Sequence, residues 1–171
     1  MRWVTRNYVH VDRIACPWLI KRFVDPAAEF VFVPAEKIGE IVKKENAIPY
    51  DAPNVELGHH GEKCSFDAIV EKYKIKDIAV LELAKIVRAA DTDKMEFVPE
   101  AAGLEAIMTG IGIVAKDDHE TVEKARMIYD ALYTNCKLKL IRDKHNNELE
   151  KMDKKHRRDF LREKLRDSVS T

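Results

Sequence analysis

Cysteine is scarce in this chain: three residues in 171, at positions 16, 64 and 136, with no CxxC pair among them. That spacing suggests neither a disulfide framework nor a structural zinc knuckle. No apolar run approaches transmembrane length, and the start Met1-Arg2-Trp3-Val4-Thr5-Arg6 lacks the apolar core of a signal peptide, so a cytoplasmic protein with no membrane partner is expected. There is no internal repeat, and no nucleophile elbow, P-loop, Rossmann glycine pattern or HExxH, which removes many standard enzyme classes. Net charge is missing too, 30 Lys and Arg balancing 30 Asp and Glu. The balance is uneven along the chain: Lys137 to Thr171 holds 12 cationic and 7 acidic residues, leaving 18 against 23 before it. An acidic core argues against nucleic acid, making DNA binding an unfavoured expectation, and for cation binding; solvated surface charge produces the same imbalance. With 46% hydrophobic and 35% charged residues, the length suits one packed core, expected over residues 1–136, with a tail over 137–171.

Against these absences stand three polar clusters. In Val11-Asp12-Arg13-Ile14-Ala15-Cys16-Pro17-Trp18 an aspartate, an arginine and a thiol crowd one helix entrance. Glu56, His59, His60, Cys64 and Asp67 form a second group, and Arg88, Asp91 and Asp93 a third, at what read as element ends.

These segments carry a resemblance. Val11 to Pro26, Glu56 to Asp67 (Glu-Leu-Gly-His-His-Gly-Glu-Lys-Cys-Ser-Phe-Asp) and Val87 to Asp93, continued by Pro99 to Glu105, Asp117-Asp118-His119 and on to about Cys136, resemble in order the C-terminal domain of the chromate resistance protein ChrB family. The resemblance implies a part in chromate resistance and its regulation, not a defined reaction. In longer relatives an N-terminal region precedes this domain; that region is expected to be absent here, and a DNA-regulatory role belonging to it is not transferred.

Residue patterns give an α+β class, predominantly helical, one domain with a small sheet of two to four strands. Trp3 to Val11 is β-leaning, and Glu29-Phe30-Val31-Phe32-Val33 alternates until Pro34 stops it. Between them Ile14, Trp18, Leu19, Ile20 and Phe23 mark a helix. Pro17 fits if that helix starts only a residue or so earlier, putting Asp12 and Arg13 in the approach and Cys16 near the positive helix end, where a thiolate is favoured. Ala35 to Glu45 forms a short helix, Ser65 caps one reaching Lys74, and Asp77 caps one ending near Asp91 to Asp93. Pro99 opens another, broken near Gly110 and Gly112, and Asp117-Asp118-His119 precedes the last core helix. No βαβ alternation is evident. Lys137 to Thr171, free of Gly and Pro, reads as one long charged helix with a thin apolar stripe.

Imidazole with carboxylate suits zinc, iron or manganese, and a divalent metal needs three or four such groups converging in space. His59, Asp91, Glu105 and His119 are the candidate ligands. For His59 the glycine-rich setting favours a ligand or substrate contact, with His60 its outward neighbour. Asp91 breaks the helix-dipole rule, Arg88 one turn back being its plain ion-pair partner. Glu105 reads equally as a solvated glutamate, and His119 as a first-turn residue. Arg13 and Arg88, with the amides near Cys16 and Ser65, could hold a tetrahedral dianion such as chromate or sulfate, and Cys16 or Cys64 could sense or reduce it. The plainer alternative is an Asp12–Arg13 ion pair and two buried, inert thiols. Three functions follow: a metal-binding, ligand-responsive domain of the chromate-resistance type with Arg13 and Arg88 facing an oxyanion; a metal-dependent enzyme on a small metabolite, with Asp12, His59 and Asp67 as acid–base groups; or a module whose basic C-terminal helix binds a partner, a second copy or DNA phosphates.

Overall fold

Strand and helix alternate through the first fifty residues: β1 (Arg2–Arg6), α1 (Val11–Phe23), β2 (Glu29–Val33), a 3-10 turn (Ala35–Lys37) running into α2 (Ile38–Glu45), and β3 (Ile48–Pro49). Helices α3 (Ser65–Lys72), α4 (Ile78–Asp91), α5 (Pro99–Val114), α6 (Asp118–Lys144), α7 (Asn146–Leu149) and α8 (Lys154–Asp167) follow. This computed structural model describes residues 1–92, 96 and 98–167, so Asp93 of the third polar cluster lies outside the described residues. The class is α+β and predominantly helical.

The sheet has the order β2-β1-β3 with both pairings parallel. Parallel neighbours need crossovers, which α1 and α2 supply, so the expected absence of strand–helix alternation is overturned. Its cause is β3, two residues long and containing Pro49, which an edge position tolerates. Alternate side chains serve opposite faces. Val4, Val31 and Val33 meet Ile38, Ile41 and Val42 of the α2 side, while Trp3, Phe30 and Phe32 join the main core. There α1 packs on α3, α4 and α6, and α4 on α5 and α6, with the Trp18 ring against both Tyr129 and Tyr133. The consequence for function is positional, because the carboxyl ends of parallel strands are where such sheets hold ligands.

Three local expectations change. α1 starts at Val11, so Asp12 and Arg13 stand in its first turn and Pro17 lies inside it. α5 runs unbroken past Gly110 and Gly112, where added Cβ atoms would meet nothing; two exposed glycines weaken a helix by about 1 kcal/mol each without ending it. The charged C-terminal segment is helical but folded back: α6 continues past Cys136, the expected domain boundary, to Lys144, and α8 returns against it with Leu161 buried. Among the described residues no helix is long and apolar enough to cross a membrane.

Candidate metal centre

Asp12 is an acid with no solvent exposure. Its Oδ2 accepts the Ser65 N–H at 2.7 Å and its Oδ1 the Phe66 N–H at 2.9 Å. A residue of α1 therefore satisfies the orphan donors that open α3, work expected of Ser65. Instead Cys64 is the N-cap residue, and the buried Ser65 hydroxyl makes no hydrogen bond among the described residues. Asp67 closes the other side: Oδ2 accepts the Cys64 N–H at 3.1 Å, and Oδ1 accepts from Arg88 at 2.9 Å.

Over this frame hangs His59, in the loop between β3 and α3. Gly58 turns the chain there, and a Cβ on it would come within 3.0 Å of the Ala52 carbonyl and 3.1 Å of the Val55 carbonyl. His59 Nε2 then lies 3.5 Å from Asp12 Oδ2, 3.4 Å from Asp51 Oδ1 and 3.3 Å from Asp91 Oδ2. Asp51 lies two residues past β3, in the left-handed region at φ 41°, which aspartate tolerates better than most residues. Arg13 reaches its Oδ2 at 3.1 Å, and Arg6, at the end of β1, its Oδ1 at 3.4 Å. Asp91 is the last residue of α4. Its unfavourable place at a helix C-terminus is offset by His59 and by the Asp12 amide in the first turn of α1.

Crowding these acids moves their protons. The Asp12 carboxylate, then the charges of Asp12, Asp51 and Asp91, raise His59 from 6.5 to about 8 against its partial burial. Burial, then the Asp12 charge, raises Asp91 from 3.8 to about 7. Asp51 shifts upward by burial and Asp12, with Arg13 and Arg6 opposing. The thiols do the reverse of what a helix-end thiolate requires. Cys16, fully buried one turn into α1 and 3.5 Å from Asp12 Oδ1, is pushed well above its ordinary value by burial and that carboxylate, and burial raises Cys64 as well. Both hold their protons.

Of the residues singled out in the sequence, Asp12, His59 and Asp91 converge, with one ligand atom from each within 4.8 Å of the others. Arg13, Asp67, Arg88 and Cys16 form the surrounding frame. Arg88 pairs with Asp67, not with Asp91. Glu105 stands apart on α5, accepting from Thr109 and 3.6 Å from His10. His119, on α6, packs its ring against Phe32 of β2. His60 turns away, its Nε2 2.7 Å from the Glu56 carbonyl. Sequence reading missed Asp51 and Arg6. The one signal for them was an acid following the apolar Ile48-Pro49-Tyr50 run, between two prolines.

With that geometry in view, comparison with known proteins is specific. Residues 3–136 match the family model of the C-terminal domain of ChrB. Protein ChrB of Cupriavidus metallidurans is 29% identical over 137 residues, covering 78% of this chain and 40% of that protein. The chain thus spans two-fifths of the length of that curated relative. No solved structure matches this chain.

Proposed function

The chain belongs to the ChrB C-terminal domain family, and on that footing we propose that it binds one divalent transition-metal ion through Asp12, His59 and Asp91, as a ligand-responsive domain in chromate resistance. One observation carries this reading: a single imidazole nitrogen sits 3.3 to 3.5 Å from three carboxylates. A charge-assisted hydrogen bond would be shorter, about 2.7–2.9 Å. Ligand atoms each about 2.0–2.1 Å from a four-coordinate zinc lie about 3.3 Å apart. The donors also suit the ion. Asp12 Oδ2, the oxygen nearer His59, accepts one N–H and keeps a lone pair, and Arg13 orients Asp51 beside the centre as an outer partner. One imidazole among carboxylates fits zinc, iron or manganese.

Three protein ligands leave a coordination position open, and a cation there would supply Lewis-acid polarisation. His59 faces a cleft of about 420 Å³ lined also by Arg6, Asp51, Asn54 and His60. Arg13 and Arg88 are engaged by Asp51 and Asp67; Arg6 also pairs with Asp51 but lines this cleft and is the most exposed of the three, so an oxyanion would enter beside it. The same open side favours a second reading, a metal-dependent enzyme on a small metabolite; turnover that needs both metal and His59 would separate it from sensing.

Isothermal titration of zinc and manganese into chelator-treated protein tests the proposal. One equivalent per chain is expected, with proton release on binding, and its loss in His59→Ala. Binding unchanged in that variant, or none in the native protein, would leave His59 as a structural imidazolium among aspartates.

A further inference from the structure

The returning C-terminal helices build a second polar feature, remote in chemistry from the metal centre. Beside the seam of α6 and α8 lies a groove of about 310 Å³ floored by Leu138, Leu161 and Leu165 and rimmed by five cations, Arg142, Lys154 and Arg158 among them. No acid lines it. Those three cations are exposed and make no ion pair among the described residues. Much of the positive excess of residues 137–171 is thus gathered around an apolar floor.

Floor and rim together select the occupant. A phosphate backbone would use the cations and gain nothing from three leucines, and no aromatic lines the groove to stack a base. A helix with an apolar stripe and acidic flanks uses both, laying aliphatic side chains on the leucines while its carboxylates meet the guanidinium rim. We propose that the α6–α8 groove docks an acidic amphipathic helix of a partner protein. At 1.5 Å per residue, the 14 residues of α8 present a track about 21 Å long, room for roughly four turns of partner helix.

Fluorescence anisotropy on the full chain tests this with three labelled probes: a 16-residue acidic peptide with leucines at i, i+3, i+4 and i+7 spacing, a scramble of the same composition, and a 20-base-pair DNA duplex. The patterned peptide should bind at least ten-fold tighter than the scramble and the duplex, and weaken as salt rises. Arg142→Glu with Arg158→Glu should cost at least ten-fold, with circular dichroism unchanged; should that pair fail to fold, Arg142→Gln with Arg158→Gln should cost at least three-fold. Equal binding of patterned and scrambled peptides, preference for the duplex, or native affinity in the folded double variant would overturn the proposal.

Discussion

At the strand ends, the largely buried Asp12, Asp51 and Asp91 are drawn around one half-exposed imidazole, whereas along the α6–α8 groove the cations stand in water, three of them without ion-pair partners among the described residues. Unit charges are the same in both places; their surroundings are not. Two charges 4 Å apart interact by about 1 kcal/mol in water and by about 4 kcal/mol at the effective dielectric of a protein site. So the Asp12 charge pushes Asp51, Asp91 and His59 upward, while the rim cations act as a field.

That contrast breaks most severely at Asp12. Asp12→Ala leaves the Ser65 and Phe66 amides buried without acceptors and should destabilise the protein by about 3–5 kcal/mol in urea unfolding. Acidity sharpens it next. His59, raised from 6.5 to about 8, contributes stability that is complete below pH 6.5 and lost as pH climbs through 8. Asp91, raised from 3.8 to about 7, makes ionisation in the folded state costly over that interval, so it too favours the fold at lower pH. Metal-free protein should therefore lose stability from pH 6 to 8, read as a falling urea midpoint, and saturating zinc should remove that fall because the ion needs deprotonated ligands. Arg88→Gln, which strips one partner from the buried Asp67, should cost about 1–3 kcal/mol. Smallest is the rim: Arg142→Glu with Arg158→Glu should move stability by no more than about 0.5 kcal/mol.

Much of the architecture was legible because its signals are local. The alternation of Glu29 to Val33, the Asp77 and Asp117 caps and the apolar stripe of α2 each act within a few residues. The sheet's parallel topology was not, since β3 is two residues long and owes its pairing to β1. The N-terminus of α3 was misread for a similar reason: its cap comes from Asp12, more than fifty residues earlier. At the site, His59, Asp91 and Asp12 stood out by residue type and by Asp91 defying the helix dipole. Asp51 did not, because a lone acid between Pro49 and Pro53 looks like any loop residue until the fold brings Arg13 and His59 to it. Glu105 and His119 had the right chemistry, but α5 and α6 point them elsewhere. The backward fold of α8 was hidden by a tail in which charge outnumbers apolar side chains and helical periodicity runs past the turn.

The most direct test of the centre is anomalous diffraction, at the zinc absorption edge, from crystals of the native chain grown with zinc. The account predicts a single strong peak about 2.0–2.2 Å from Asp12, His59 and Asp91. A map with no peak there and His59 Nε2 hydrogen-bonded to its carboxylates, or with zinc only at other histidines such as His60 or His156, would contradict it.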